Sequence, residues 1–149
     1  MMKIIGVIGG HSVDDKIRVI AYKVGYEIAK RGFVLVTGGL GGVMEAASMG
    51  AKDAGGLVIG ILPGIDKYDA NDYVDIPIVT GINEMRNVII VRTADVLIAI
   101  DGGTGTLTEI AFAKHLGKKV FGVKCDLEIG IENFEDPIEA VNKAIESIC

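Results

Sequence analysis

The stretch that decides the fold is Ala94-Asp-Val-Leu-Ile-Ala-Ile-Asp-Gly-Gly-Thr-Gly-Thr-Leu-Thr-Glu109. Its run Val96–Ile100 is unbroken and apolar, which is typical of a strand buried on both faces. Three glycines follow within four positions, and Thr106 with Glu109 three residues later forms a capping-box signature. We therefore expect a strand, a glycine turn and then a helix that begins near Thr106.

The glycine turn predicts a site for a phosphate group. Glycine lets the backbone approach a ligand closely, and the N–H groups in the first turn of a helix attract an anion. The alternative is a tight turn that needs glycine only for its positive φ. The predicted phosphate-binding residues are Gly102, Gly103, Thr104, Gly105 and Thr106.

Apolar runs and amphipathic segments alternate along the rest of the chain. Further strands are predicted at 3–8, 33–36, 57–62, 74–79 and 119–123, and further helices at 14–30, 43–54, 83–93 and 137–148. Pro77 predicts an edge position for its strand. The helix at 83–93 rests on Asn83 as its N-cap, against the β-branched run Val88–Val91. Without repeats or linkers, this alternation predicts one α/β domain over 1–149, a doubly wound, Rossmann-like parallel sheet.

Two more glycine turns follow predicted strands, within 9–12 and 37–42. Because ligands of such sheets lie at the carboxyl ends of the strands, all three turns are predicted to line one pocket of nucleotide size. Close packing of helix on strand is an equal explanation for the glycines of the second turn. No Gly-x-Gly-x-x-Gly after a strand and no P-loop occurs, which disfavours those two nucleotide-binding classes. The ligand-binding candidates are Gly10, His11, Ser12, Gly38, Gly39, Gly41 and Gly42.

The composition argues against several classes of partner. The net charge is −5 and no basic run occurs, so a nucleic-acid polymer is a poor candidate. No apolar run approaches the roughly 20 residues that span a bilayer, so no membrane association is expected. Cys125 and Cys149 are far apart, and we expect reduced thiols in a cytoplasmic protein. The acidic stretch 66–75 matches no calcium loop, so no metal site is predicted.

The motif Asp101-Gly-Gly-Thr-Gly-Thr-Leu-Thr-Glu109 resembles the Pro-Gly-Gly-x-Gly-Thr-x-x-Glu signature of the "lonely guy" family. That family consists of cytokinin-activating nucleoside monophosphate phosphoribohydrolases, long mislabelled as lysine decarboxylases. Asp101 replaces the family's proline, and Asn83-Glu-Met-Arg86-Asn87 stands where the family has Met-x-x-Arg-Lys. These departures make the chain more similar to a small sister group that includes molybdenum cofactor carrier proteins. The resemblance implies a catalytic pair, Arg86 and Glu109, in a homodimer with sites near its interface.

Two functions are compatible with these residues. The first is hydrolysis of a purine nucleoside 5′-monophosphate, with phosphate on 103–106, Arg86 neutralising it or holding Glu109, and Glu109 stabilising positive charge on the ribose. Glu109 could instead only complete the capping box. The second function is a non-catalytic carrier of a pterin-type molybdenum cofactor, whose terminal phosphate would use the same turn. No cofactor is required beyond a bound nucleotide or phosphate, and a lysine decarboxylase is disfavoured because no pyridoxal-binding context occurs.

Overall fold

The computed structural model describes residues 1–149, the whole chain. The strands are β1 (Ile4–Gly9), β2 (Val34–Thr37), β3 (Val58–Leu62), β4 (Ile76–Val79), β5 (Val96–Ile100), β6 (Val120–Val123) and β7 (Glu132–Phe134). The helices are α1 (Asp15–Lys30), α2 (Val43–Asp53), α3 (Asn87–Thr93), α4 (Thr104–His115) and α5 (Pro137–Glu146). Two 3-10 turns, Lys67–Asp69 and Asn83–Arg86, complete the regular structure. None of the five helices combines the length and the apolar character that crossing a bilayer requires.

All seven strands are parallel and form one sheet in the order β4-β3-β2-β1-β5-β6-β7. The chain starts at the centre with β1, builds outward to β4, and then returns to the other side of β1 with β5. The topological switch point therefore lies between β1 and β5, where a crevice opens at the carboxyl ends of the strands. This is the predicted doubly wound, Rossmann-like single domain.

Helices cover both faces of the sheet. On one face α1, α2 and α5 pack over side chains such as Val7 and Ile98, and on the other α3 and α4 pack over Ile8 and Leu97. Every residue of β5 is fully buried, because alternate side chains enter the two cores. The unbroken apolar run of this strand is therefore a consequence of burial on both sides.

The two ends of the sheet differ in how well the sequence predicts them. Strand β4 lies at the edge, as Pro77 indicates, and its other side chains remain largely exposed. Strand β7 at the opposite edge was not predicted, because the three residues Glu-Asn-Phe carry no apolar alternation. Its Asn133 contributes a side chain to the fold, since Oδ1 accepts a hydrogen bond from the backbone N–H of Cys125 at 2.9 Å.

The predicted starts of α4 and α3 are both wrong. Helix α4 begins at Thr104 rather than near Thr106, after an extended Gly103, and no side chain caps it. Its ladder opens with Leu107 N–H donating to the carbonyl of Gly103, so Thr106 and Glu109 lie inside the helix and form no capping box. Asn83 has φ of +55° and starts a 3-10 turn instead of capping α3.

Candidate functional site

A cleft of about 360 Å³ opens at the carboxyl ends of β1, β2 and β5. The three glycine turns meet in it, as the parallel arrangement predicts, and the turn before α3 closes one side. Its lining consists of Val7, Ile8, Gly9, Gly10, His11 and Ser12 from β1 and its loop; Gly38, Leu40 and Met44; Glu84, Arg86, Asn87 and Ile90; and Gly103, Thr104, Gly105, Thr106 and Glu109.

Four of the predicted site residues lie off the cleft. Gly39 and Gly42 have φ of +77° and +66°, a region that favours glycine. A Cβ on Gly39 would meet Leu62 at 2.6 Å, and one on Gly42 would meet the backbone at residues 10 and 11. Gly102 packs against Leu127, and Gly41 faces the carbonyl oxygen of residue 11. The equal alternative for the second turn, close packing, therefore holds for Gly39 and Gly42.

The first turn of α4 presents its backbone to the cleft. Neither Gly103 nor Gly105 has a positive φ, and a Cβ on either would meet no protein atom within 4 Å. The interpretation that this turn needs glycine for its backbone conformation is therefore wrong. The N–H groups of 104–106 precede the first bond of the helical ladder and have no side-chain cap, so they are available to a ligand. The Thr108 hydroxyl instead donates to the carbonyl of Thr104 at 3.0 Å.

Arg86 is a buried cation that opens onto this cleft. Arg86 is the last residue of the 3-10 turn and is only 7% exposed. Nη1 donates to Oδ1 of Asn87, Nη2 lies 3.5 Å from the carbonyl oxygen of Gly38, and Nε has no partner. Burial lowers the pKa of Arg86, although the carboxylates of Glu109 and Glu84 act in the opposite direction. A buried guanidinium without a paired carboxylate has unused capacity for an anion.

Glu109 lies half-buried on α4, one turn beyond the free N–H groups. Burial raises its pKa to about 7, against the lowering effect of Arg86, and the charge of Glu84 raises it further. A carboxyl group with this pKa exists in both protonation states near neutral pH. It can therefore accept or donate a proton there.

Other titratable side chains that the sequence offered lie elsewhere. Glu45 pairs with Arg18 at 3.0 Å on the surface of α1 and α2, and His115 is exposed. The chain contains no group of three or more His, Cys, Asp or Glu side chains arranged to hold a metal ion. The cleft also includes Glu84 and Asn87, which were not among the predicted site residues. Their proximity to Arg86 along the chain was the available signal.

A second groove of about 520 Å³ runs between α3 and α4 and joins the cleft at Glu109. Its apolar wall consists of Met85, Val88, Val91 and Phe112. Met85 is 65% exposed, so part of this apolar surface faces solvent in the single chain.

Comparison with known proteins gives one match over nearly the whole chain and others over part of it. A protein from Archaeoglobus fulgidus, described as uncharacterized, is 51% identical over 144 residues, covering 96% of this chain and 95% of that protein. The cytokinin riboside 5′-monophosphate phosphoribohydrolase of Mycobacterium tuberculosis is 38% identical over 95 residues, covering 61% of this chain. That match spans only 50% of the phosphoribohydrolase, so it concerns about half of its length.

Solved structures resemble the fold closely. The molybdenum cofactor binding protein of Rippkaea orientalis has a TM-score of 0.92 and 41% identity, covering 99% of this chain and 98% of that chain. The molybdenum cofactor carrier protein of Chlamydomonas reinhardtii has a TM-score of 0.90 and 35% identity, with the same coverage. The model of the SLOG cluster4 family matches residues 2–147. This chain, with its cleft at the switch point of a parallel sheet, belongs to the SLOG cluster4 family.

Proposed function

We propose that this protein is a carrier that binds a small phosphorylated ligand of the molybdenum-cofactor type in the cleft. The observation that carries the proposal is the state of Arg86, a cation that is only 7% exposed and lines the cleft. Its Nε has no hydrogen-bond partner in the protein. A buried charge without a partner of opposite charge is costly, and an anion bound in the cleft would supply the partner that this guanidinium lacks.

The first turn of α4 supplies the other half of an anion site. Its N–H groups carry the positive end of the helix dipole, and the glycines at 103 and 105 leave open space where side chains would stand. Neither glycine is required by the backbone or by packing, so an approaching ligand explains them best. The ligand's phosphate would lie on these N–H groups.

The choice of a carrier follows the whole-chain similarity. Both the Rippkaea and the Chlamydomonas proteins, which are described as binding or carrying the molybdenum cofactor, align over nearly all of both chains. The phosphoribohydrolase matches cover half of those proteins. The cofactor would be cargo, and the residues of the cleft address only its phosphorylated part.

A second candidate is hydrolysis of a nucleoside 5′-monophosphate to free base and ribose 5-phosphate. Glu109 favours it, because a carboxyl group with a pKa of about 7 can stabilise a cationic ribose when ionised or transfer a proton when neutral. The same cleft and the same Arg86 would then hold the nucleotide phosphate.

The deciding experiment measures both binding and turnover. Purified protein is incubated with a panel of purine nucleoside 5′-monophosphates and assayed for free base, and calorimetry is run with the same panel and with released molybdenum cofactor. A carrier binds the cofactor in an Arg86-dependent way and releases no base. Arg86→Ala should weaken binding by about 10-fold or more, the scale of a charge-assisted contact.

Arg31→Ala provides the matched control, since Arg31 is exposed at the end of α1 and lies outside the cleft. Release of free base from any nucleotide would contradict the proposal of a carrier and support the proposal of a hydrolase. Failure to bind either kind of ligand would refute both.

A further inference from the structure

In the glycine turn between β2 and α2, Gly38 lies against the guanidinium of Arg86. Gly38 has no positive φ, so its backbone conformation is open to other residues. A Cβ there would lie 2.6 Å from Nη2 and 2.9 Å from Cζ of Arg86, distances that real Cβ atoms essentially never show. Sδ of Met44 lies 2.7 Å from the same position, so a side chain at residue 38 would displace the guanidinium, the methionine sulfur or both.

The carbonyl groups of the same turn are held from two sides. The carbonyl of Gly38 faces Nη2 of Arg86 at 3.5 Å. The next two carbonyls, of Gly39 and Leu40, accept hydrogen bonds from the backbone N–H of Asn71 at 2.9 Å and from its Nδ2 at 2.8 Å. Oδ1 of Asn71 accepts from the N–H of Tyr73 at 3.0 Å, so the side chain is fixed at both of its polar atoms.

We propose that Gly38 and Asn71 are positioning residues for Arg86: Gly38 leaves the space that the guanidinium occupies, and Asn71 fastens the turn that borders it. The inference rests on the proposed function, because it concerns how the anion-binding arginine is aimed. Asn71 lies outside the cleft, in the stretch between β3 and β4 that the sequence indicated only as a polar, acidic loop.

Arg86 needs positioning residues because it is buried. A flexible arginine would leave a dry position for water, since its charged form is disfavoured by desolvation. Filling the space at residue 38 displaces the guanidinium by steric overlap, while loosening Asn71 lets the turn move away from it. Asn71 lies outside the cleft, so its loss acts on the arginine alone, whereas Gly38 lines the cleft and its direct effect on a ligand is separated by the double-mutant cycle below.

The first readout needs no ligand. The Nε–H of Arg86 is buried, so its ¹⁵N-resolved NMR signal, assigned by its loss in Arg86→Ala, should exchange slowly with water. Gly38→Ala should shift this signal and speed its exchange by at least 10-fold, and Asn71→Ala should do so to a smaller extent. Gly64→Ala is the matched control: it lies at the same sheet edge, and its Cβ would meet only the end of the Asp69 side chain.

The second readout is a double-mutant cycle on affinity for AMP and for inorganic phosphate. Gly38→Ala should weaken binding about 10-fold in the wild-type background and have no further effect once Arg86→Ala is present. Met44 also lies within 2.7 Å of the added Cβ, so Gly38→Ala with Met44→Ala relieves that overlap alone. Because Met44 also lines the cleft, the double variant is compared with Met44→Ala alone, and a loss that persists relative to that single variant is assigned to Arg86.

Three results would overturn the inference: an unchanged Nε–H signal in Gly38→Ala, full recovery on Met44→Ala, or additive losses for residues 38 and 86. If Gly38→Ala does not fold, Asn71→Ala must still accelerate Nε–H exchange for the inference to stand. If the wild type binds neither AMP, phosphate nor the cofactor, the proposed function fails, while the NMR readout still decides the role of the two residues.

Discussion

Arg86 and Glu109 line the same cleft but form no ion pair, since no nitrogen of one lies within 4.0 Å of a carboxylate oxygen of the other. The suggested direct contact in which Arg86 holds Glu109 is therefore not present in the structure. Nε of Arg86 has no partner in the protein, and burial disfavours the charged form of both side chains. A ligand with a phosphate and a polar centre could satisfy both at once.

Replacement of Glu109 by glutamine separates the enzyme from the carrier. The change keeps the size of the side chain and removes a charge that an oxocarbenium-like transition state requires. In a hydrolase, turnover of a nucleoside monophosphate should fall about 100-fold or more with little change in affinity. In a carrier, cofactor affinity should stay within about 3-fold of wild type and no turnover should appear in either protein. A Glu109→Gln protein that releases base as fast as wild type would remove Glu109 from any catalytic role.

The pH dependence of stability reports the environment of Glu109. Its folded pKa of about 7 exceeds the ordinary value of 4.5, so the folded state holds a proton that the unfolded chain releases. The stability that this proton contributes is fully present below pH 4.5 and is lost as the pH rises through 7. Between pH 5 and 8, wild type should therefore lose on the order of 2 kcal/mol relative to Glu109→Gln, allowing for water at the cleft mouth.

Urea denaturation at several pH values measures this difference. Glu139→Gln removes an exposed carboxylate on α5 and should follow the wild-type profile. Parallel curves for wild type and Glu109→Gln would contradict the raised pKa.

Valine at position 105 tests the anion site on α4. An added side chain there meets no protein atom within 4 Å of its Cβ, and the backbone has no positive φ, so the fold should persist. The branched side chain would occupy the space in front of the free N–H groups, and affinity for phosphorylated ligands should fall by more than about 10-fold. Calorimetry measures the affinity and circular dichroism the fold. Unchanged affinity in a folded Gly105→Val protein would exclude this turn as the phosphate site.

Asp101 has a backbone conformation that proline cannot adopt. Its φ is +59°, and its N–H donates to the carbonyl of Val123 at 3.0 Å. Proline fixes φ near −65° and has no N–H, so Asp101→Pro should destabilise the fold by about 3 kcal/mol or more. Asp101→Gly accepts the positive φ and should stay within about 1 kcal/mol of wild type. Chemical denaturation compares them, and a stable proline variant would show that the turn can take another path.

A homodimer remains a prediction, and the groove between α3 and α4 suggests where it would form. The exposed Met85 and the half-buried Val88 and Phe112 provide an apolar surface there. Light scattering should give about twice the chain mass of 15.7 kDa at micromolar concentration. Val88→Glu should shift the mass to that of the monomer, whereas Val19→Glu, at an exposed site on α1, should not. A wild-type monomer would contradict the prediction.

The order of elements could be predicted from the sequence because burial on both faces leaves a strong local pattern. The run Val96–Ile100 is continuous and apolar since every residue of β5 enters one core or the other. The edge position of β4 could be predicted from Pro77 for a different reason, because proline lacks the backbone N–H that a central strand would need. Parallel topology then predicted that three glycine turns would meet.

Helix starts and the roles of single glycines depended on tertiary contacts. Thr106 and Glu109 have the spacing of a capping box, but the helix begins at Thr104 because Gly103 accepts its first bond. Gly38, Gly39 and Gly105 look alike in sequence. Gly38 makes room for Arg86, Gly39 has a positive φ, and Gly105 faces open space. These differences depend on neighbours that are distant along the chain.

The sequence by itself determined the parallel α/β domain and the meeting of three glycine turns at one edge of its sheet, since both follow from hydrophobic pattern and strand direction. Only the tertiary structure decided the electrostatics of the site. Burial of Arg86 beneath the turn at Gly38, and of Glu109 beside it, changes the pKa of both groups. The desolvation behind those shifts arises from packing between segments that are distant along the chain, which no local stretch of sequence encodes.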